Sequence, residues 1–161
     1  MNDSLKETFN YIKNLNLDII DKDLFRPWGG FFVINEIETY DFINIFFKEL
    51  KKNEIKFLDR LSPKILVILP EKRLSWSYHN RREEIWKVIK GKINVIISSD
   101  NIQRKKIELK KGDSIKINKR ERHRIIGKSD FAVVAELWIH TDKNNPSDEY
   151  DIVRIQDDFN R

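Results

Sequence analysis

The sequence predicts a mainly β domain, a sandwich or a barrel, with helical segments before it. From Lys64 onward many short stretches have strand character, and turn signals such as Lys90–Lys92 and Lys111–Asp113 separate most of them. Short strands at such regular spacing are typical of sandwiches and barrels. The chain has 161 residues, of which 40% are hydrophobic, and this is enough for one domain with a sizeable core.

Hydrophobic patterning predicts each element in turn. A helix is expected over residues 4–16, where Ser4 and Glu7 form a capping-box pattern, and a second amphipathic helix is expected over Asp41–Asn53. The predicted strands are Phe31–Ile34, Lys64–Leu69, Arg73–Tyr78, Glu84–Lys90, Ile93–Ser98, Ile102–Leu109, Ser114–Ile117, His123–Ile126 and Phe131–Ile139.

The chain is predicted to form a single domain over residues 1–161. An N-terminal helical and strand extension takes residues 1–55, and the barrel core takes residues 64–140. The tail, residues 141–161, is expected to be docked on the barrel because it carries Ile152, Val153 and Ile155.

Composition excludes several classes of function. Without cysteine there can be no disulfide, thiolate metal site or cysteine nucleophile. No signal peptide or transmembrane run is evident, so a cytoplasmic protein is expected. The net charge of +5 could favour nucleic acid, an anionic membrane or a phosphorylated small molecule. No nucleic-acid motif accompanies it, so we expect neither a nucleic-acid nor a membrane partner.

The stretch LSWSYHNRREEIWKVIKG, residues 74–91, carries the strongest chemical signal. Alternation places Ser77 and His79 on one face of a strand, and Glu84 follows on a second strand after the turn Asn80–Glu83. An imidazole and a carboxylate that converge inside a barrel suit zinc, manganese or iron. A third ligand must come from elsewhere, and His123 and His140 are the other histidines.

Several segments together resemble the cupin-type mannose-6-phosphate isomerases, which include small cupins labelled phosphoheptose isomerase. The resemblance covers roughly residues 26–161. It is carried by RPWG at Arg26–Gly29, by the stretch from Lys64 to Pro70, by LSWSYHNRREEIW with Gly91, by Gly112–Ile117 followed by His123, and by the closing DIVRIQDDFNR.

The resemblance implies a double-stranded β-helix barrel, a jelly roll, with one divalent metal in its mouth. It implies His79, Glu84 and His123 as ligands and gives His140 no ligand role. Ser77 stands where the family has a glutamine, so it is a weaker fourth ligand that a water bridges or replaces. Zinc is the first expectation for the metal, with manganese, iron or nickel as alternatives.

The resemblance also assigns residues to the substrate. Lys64 and Arg82 are predicted catalytic residues. Glu136 joins them because of its inward parity in the predicted strand Phe131–Ile139, and not through the resemblance, as either a base or an anchor for the site. Arg26, Trp28, Ser75 and Arg154 are predicted to bind substrate. From the residues alone, Arg26–Gly29 could equally be a structural turn with a buried tryptophan, Lys64 a surface lysine, Arg82 a solvated turn residue, and Arg154 an ion-pair partner of Asp151 or Asp157.

The predicted function is metal-dependent aldose–ketose isomerisation of a sugar phosphate, with mannose-6-phosphate and fructose-6-phosphate as the substrate pair. Two alternatives stay open: an isomerase or epimerase of a phosphoheptose or nucleotide-linked sugar, and a non-catalytic sugar-binding cupin. A homodimer is expected because cupins commonly pair.

Overall fold

Two antiparallel sheets form the protein, in a computed structural model that describes residues 2–51, 53 and 60–161. One sheet has the strand order β1-β2-β3-β10-β5-β8 and the other has the order β11-β4-β9-β6-β7. The elements are α1 (Asp3–Asn14), β1 (Ile19–Arg26), β2 (Gly29–Ile34), a 3₁₀ turn (Glu36–Glu38), α2 (Thr39–Phe46), β3 (Lys64–Ile68), β4 (Trp76–Tyr78), β5 (Arg82–Lys90), β6 (Lys92–Ser98), β7 (Ile107–Lys110), β8 (Ser114–Ile117), β9 (Arg122–Gly127), β10 (Ala132–His140) and β11 (Val153–Gln156).

The chain crosses repeatedly between the two sheets as it winds along the barrel. Strands β3, β5, β8 and β10 belong to the six-stranded sheet, and β4, β6, β7 and β9 belong to the five-stranded sheet. This is the double-stranded β-helix, and the two helices precede its core strands. The prediction of a mainly β jelly-roll barrel with two N-terminal helices is confirmed.

The six-stranded sheet is covered on both faces, which explains why β3 and β10 are buried at every position. Alternate residues of β3 enter different cores. Ile65 and Val67 pack outward with helix residues such as Ile12 and Phe42, in the layer between the helices and the sheet. Leu66 and Ile68 point inward with the apolar residues of the barrel interior, including Trp86, Val95 and Ile125.

The first helix begins earlier than predicted. Its cap is Asn2, whose Oδ1 accepts a hydrogen bond from the backbone N–H of Ser4 at 2.8 Å. Ser4 lies inside the helix, so the predicted cap at Ser4 is wrong. Asparagine is as good a cap as serine, and here it satisfies a free N–H group from a position two residues earlier.

The second helix is shorter than the predicted Asp41–Asn53 and ends at Phe46. Phe46 and Phe47 are both buried in the outer core although they are neighbours in the sequence. The backbone leaves the helical conformation at Phe47, with φ −131° and ψ 42°. Part of the predicted range, residue 52, lies outside the described residues.

Two predicted strands differ from the structure, and one strand of the six-stranded sheet was not predicted. The strand predicted over Ile102–Leu109 covers only β7, because Arg104 and Asp100 close a polar turn with a bidentate ion pair whose N–O distances are both 2.7 Å. The strand predicted over Arg73–Tyr78 is reduced to β4, with Arg73 in an isolated bridge. Strand β1 was not predicted, because its edge position leaves it largely exposed and without an alternating pattern.

The C-terminal tail adds an edge strand to the five-stranded sheet. Strand β11 pairs antiparallel with β4, and Arg154 lies opposite Ser77 in this pairing.

Within the described residues, the helices lack the combination of length and apolar character that crossing a bilayer requires.

Candidate metal and substrate site

One cavity at the mouth of the barrel, with a volume of about 130 Å³, collects the predicted site residues. The structure brings all of them to its wall, while the role of each stays a prediction. The predicted residues that line it are Arg26, Trp28, Lys64, Ser75, Ser77, His79, Arg82, Glu84, His123, Glu136 and Arg154. Trp86 and Trp138 also line the cavity, as predicted for pocket walls.

Strand register explains this convergence. Glu136 of β10 lies opposite both Lys64 of β3 and Trp86 of β5, and Glu84 lies opposite Trp138. In the other sheet, Ser77 is paired with His123. Because side chains two residues apart on a strand share a face, the inward polar residues of these strands meet in the barrel interior beside apolar residues such as Leu66 and Ile125.

His79, Glu84 and His123 form a buried cluster that could hold a metal ion. Nε2 of His79 is 3.2 Å from Glu84 Oε1, and Nε2 of His123 is 3.7 Å from Glu84 Oε2. Two ligands at about 2.1 Å from one tetrahedral ion would lie about 3.4 Å apart, close to these separations.

Both imidazoles are held in the tautomer that a metal ligand needs. Nδ1 of His79 lies 2.6 Å from the backbone carbonyl of Asp151, and Nδ1 of His123 lies 2.9 Å from that of Glu121. A carbonyl oxygen can only accept, so each Nδ1 carries a hydrogen, and in the neutral ring each Nε2 keeps its lone pair toward Glu84.

Electrostatics favour the same protonation states. Burial alone would raise the pKa of Glu84, but His79, Arg82 and His123 around it hold this pKa well below its usual range. Burial lowers the pKa of His123 to about 4, against the attraction of Glu84. At neutral pH the cluster therefore presents an ionised carboxylate and a neutral His123, and these are the forms that bind a divalent cation.

Arg82 is a buried strand residue, so its predicted place in the turn is wrong. Its Nε donates to Glu84 Oε1 at 2.8 Å, and its Nη2 donates to Nε2 of His79 at 3.1 Å. A third nitrogen, Nη1, donates to the hydroxyl of Ser147 at 2.8 Å. The guanidinium thus uses lone pairs that a metal ion would need.

The donor set nevertheless fits a divalent cation. Two imidazole nitrogens and a carboxylate are ligands of zinc, manganese and iron, and no thiolate restricts the choice. The distances, the fixed tautomers and the low pKa of Glu84 agree with that use. A metal on His79 Nε2 requires only that Arg82 give up one hydrogen bond.

The predicted fourth ligand, Ser77, is buried beside His123. Its hydroxyl accepts a hydrogen bond from the hydroxyl of Ser75 at 3.2 Å. Ser75 has the same parity as Ser77 on this strand, which is how both reach the cavity.

Glu136 lies between two indoles. Its Oε1 accepts from Nε1 of Trp86 and its Oε2 from Nε1 of Trp138, each at 3.0 Å. Burial, together with the charge of Glu84, raises the pKa of Glu136 to about 7. Lys64 and Arg82 oppose that rise. A carboxyl group with this pKa can both accept and return a proton at neutral pH.

Lys64 points into the barrel, as predicted, and is not at the surface. Its Nζ lies over the ring of Trp138, 3.7 Å from the centroid, and is 5.1 Å from that of Phe31. The predicted partner was Glu136 or a substrate phosphate, but the carboxylate that hydrogen-bonds Lys64 is Glu149.

The turn Pro27–Trp28 joins β1 to β2, and Trp28 lines the cavity. The segment Arg26–Gly29 is therefore both a structural turn and a part of the cavity wall. Arg26 pairs with Asp23 at 2.8 Å and lies over the ring of Phe31. Arg154 does not form its predicted alternative ion pairs: its Nε is buried and has no hydrogen-bond partner among the described residues.

The carboxylates named in that alternative are engaged elsewhere. Asp157 binds Arg161, with Oδ1 and Oδ2 both 2.9 Å from guanidinium nitrogens. Asp151 accepts from the backbone N–H groups of Asn80 and Arg81, each at 2.9 Å.

His140 is structural. It is buried, its Nδ1 accepts the backbone N–H of Ser147 at 2.9 Å, and it lies outside the metal cluster. This agrees with its prediction as a non-ligand.

Three polar residues of the cavity wall were missed: Arg124, Glu149 and Arg161. Alternation on β9 places Arg124 on the face opposite His123 and Ile125, so no periodic signal marked its burial, in which it bonds Gln156 and the carbonyl of Leu74. Glu149 lies outside the regular strands, and no periodic signal marks it.

Comparison with known proteins places the chain in a family. The family model described as mannose-6-phosphate isomerase C-terminal matches residues 50–157. No curated protein matches the chain.

Solved structures share part of the fold. An oxalate oxidase has 20% sequence identity and a TM-score of 0.49, covering 59% of this chain and 46% of its own. A chain from crystal structures of DMSP lyases has 17% identity and a TM-score of 0.48, with coverages of 60% and 44%. A cupin-superfamily sugar phosphate isomerase from Silicibacter pomeroyi has 13% identity and a TM-score of 0.44, with coverages of 51% and 52%. The chain thus spans about half the length of these proteins or less, and all three are too distant to indicate an activity.

Proposed function

The chain belongs to the mannose-6-phosphate isomerase C-terminal family, and on that premise we propose that it is a metal-dependent aldose–ketose isomerase of a sugar phosphate, with mannose-6-phosphate and fructose-6-phosphate as the substrate pair. The observation that carries the proposal is the meeting, in one cavity, of a buried metal-ligand cluster, a carboxyl group with a pKa near 7, and buried cations.

His79, Glu84 and His123 would hold the divalent ion, with zinc as the first expectation. When bound, such an ion supplies Lewis-acid polarisation of a sugar carbonyl oxygen. The protein's part is to keep both Nε2 atoms unprotonated and Glu84 ionised, through the carbonyls of Asp151 and Glu121 and the charge of Arg82.

Glu136 is the proposed base. Isomerisation moves a proton between C1 and C2, so the base must accept it from one carbon and return it to the other. The two indole donors fix both oxygens of Glu136, which keeps the carboxylate oriented while its proton changes. Its pKa near 7 makes both transfers accessible at neutral pH. Lys64, opposite Glu136 in the strand pairing, is the proposed second catalytic group.

The substrate's phosphate would be bound by the cationic side of the cavity. Lys64 is buried there, Arg26 lines the same wall, and Arg154 has a buried Nε without a partner among the described residues. Guanidinium and ammonium groups that are partly desolvated bind phosphate oxygens through charge-assisted hydrogen bonds.

The test is to purify the protein, load it with zinc, manganese, iron or nickel, and follow interconversion of mannose-6-phosphate and fructose-6-phosphate. His79→Ala and His123→Ala should lose metal binding and turnover together. His140→Asn is the matched control, because His140 is a buried histidine outside the cluster. Full activity in either ligand variant would overturn the metal-dependent mechanism.

A second candidate, a non-catalytic sugar-phosphate-binding protein, is favoured by two observations. Ser77 offers a short hydroxyl where the family glutamine is expected, and Arg82 bonds two of the ligand atoms. Thermal-shift measurements with metals and a panel of phosphorylated hexoses, phosphoheptoses and nucleotide-linked sugars separate the cases. Stabilisation without turnover of any sugar would favour this candidate, and turnover of a different sugar would reassign the substrate.

We also propose a homodimer. The edge strand β1 leaves Ile20 exposed, and exposed edges with apolar side chains favour pairing with another copy. Light scattering coupled to size-exclusion chromatography would test this, and a monomer at micromolar concentration would contradict it.

A further inference from the structure

The ammonium group of Lys64 needs an anionic partner. Its side chain is only 5% exposed and its Nζ faces the rings of Trp138 and Phe31. Aromatic faces attract a cation but cannot replace the hydrogen-bond acceptors that a buried ammonium loses from water. The wall of the cavity therefore presents a cation that must be paired with an anion at all times.

The anion that meets this need comes from outside the barrel strands. Glu149 accepts a hydrogen bond from Lys64, and it lies in residues 141–152, which contain neither helix nor strand. Its side chain is 53% exposed, in contrast to the buried lysine. A carboxylate at that exposure is well hydrated when it is released. Loss of the ion pair therefore costs much more free energy at the buried Lys64 than at Glu149.

The backbone on either side of Glu149 is held by hydrogen bonds, whereas the half-exposed Glu149 side chain has Lys64 as its one partner in the described part of the chain. On one side the hydroxyl of Ser147 donates to Asp151 Oδ2 at 2.6 Å and accepts from Arg82. On the other side the buried Asp151 caps two backbone N–H groups. Between these anchors the neighbour Tyr150 is 93% exposed. A rotation of the Glu149 side chain can thus free Lys64 while the ligand cluster stays in place.

We propose that Glu149 occupies the subsite of the substrate's phosphate, and that an anionic ligand binds there by displacing its carboxylate from Lys64. This deepens the proposed function and rests on it, because it names the group that selects phosphorylated sugars. A phosphate monoester brings more charge and more acceptor oxygens than Glu149, so it can take over Lys64. A neutral sugar brings no charge, so it leaves Glu149 in the subsite and the site closed.

The test measures binding of inorganic phosphate to the full chain by calorimetry and needs no turnover. Glu149→Gln removes the competing charge and should tighten phosphate binding by about tenfold, the effect of one favourable charge contact. Glu108→Gln is the matched control, since Glu108 is also half-exposed and paired with a lysine, Lys128, away from the cavity. Adding Lys64→Met to Glu149→Gln should abolish the gain.

Equal phosphate affinity in the wild type and Glu149→Gln would overturn the proposal, as would the same gain in Glu108→Gln or absence of phosphate binding in all variants. A gain that depends on Lys64 supports it. This experiment measures binding and not turnover. If Glu149→Gln binds phosphate more tightly but the protein isomerises no sugar, the isomerase function is refuted while the proposed Glu149 subsite is supported.

Discussion

Nη2 of Arg82 donates to Nε2 of His79 over 3.1 Å, so a guanidinium holds the lone pair that this histidine would offer to a metal. The same guanidinium donates to Glu84 Oε1. Arg82 therefore competes with a metal ion for two ligands. Its hydrogen bonds occupy their lone pairs, and its positive charge repels the cation.

Arg82→Met should consequently bind zinc more tightly than the wild type, by about tenfold or about 1.4 kcal/mol, while turnover falls. Competition with a chromophoric chelator measures the affinity. Arg81→Met is the control, because Arg81 lies next in sequence but bonds Asn145 and the carbonyl of Pro146 instead of the ligands. Unchanged or weaker zinc binding in Arg82→Met would show that the arginine does not compete.

Ser77→Gln should also raise metal affinity, by about tenfold. The longer side chain brings an amide oxygen toward the cluster from the strand position paired with His123. Ser75→Gln is the matched control: it has the same size, the same cavity and the same strand parity, two residues away. A gain of the same size in Ser75→Gln would indicate a general effect of an added amide and would contradict a ligand position at residue 77.

Glu136 should make the metal-free protein less stable as pH rises. Its folded pKa is about 7, above the unfolded value of 4.5, so between these values the folded state binds more protons than the unfolded state. The free energy of unfolding then falls as pH rises through this window, by up to about 3 kcal/mol from this group.

The measurement is urea unfolding of the wild type and Glu136→Gln at several pH values from 5 to 8. The glutamine cannot titrate, so the substitution removes this pH dependence. The free energy of unfolding of the variant minus that of the wild type should therefore increase with pH, even if the substitution also changes stability by a constant amount. Parallel curves for the two proteins would mean that Glu136 is ionised across the range. Glu136→Gln should also lower kcat by about 10²-fold or more if this carboxylate is the base.

Gly29→Ala should destabilise the protein strongly. Gly29 has φ +144°, and an added Cβ would lie 1.9 Å from the carbonyl oxygen of Val67 in the neighbouring strand. We expect a loss of about 3 kcal/mol or more in the free energy of unfolding. Gly112→Ala is the control, since its φ of +96° is also unfavourable but its Cβ would meet no atom within 4 Å, and about 1 kcal/mol is expected there. Similar melting temperatures for the two variants would contradict the clash.

The barrel and the wall of its cavity could be predicted from the sequence because both follow from local alternation and a sequence resemblance. Period-two patterning places Ser77 and His79 on one face, and the structure keeps that parity. Residues such as Lys64 and Arg154, far apart in the sequence, meet in the cavity through strand pairing that the resemblance implied.

Features that depend on contacts between residues far apart in the sequence could not be predicted. Helix α2 ends at Phe46 although the apolar helical pattern continues to Leu50, so the pattern could not show where the helix ends. The pairing of Glu149 with Lys64 joins residues 85 positions apart, one of them outside the regular elements. The guanidinium of Arg82 was expected in solvent or on substrate, and its contacts with the ligands appear only once β5 begins at residue 82.

The acceptors that orient His79 and His123 belong to the peptide groups of residues 151 and 121 and not to side chains. Any amino acid at position 121 or 151 that keeps the local chain path can supply the same oxygen. At position 151, however, the buried carboxylate itself holds that path by accepting the backbone N–H groups of Asn80 and Arg81, so ring orientation tolerates substitution more readily at position 121 than at position 151.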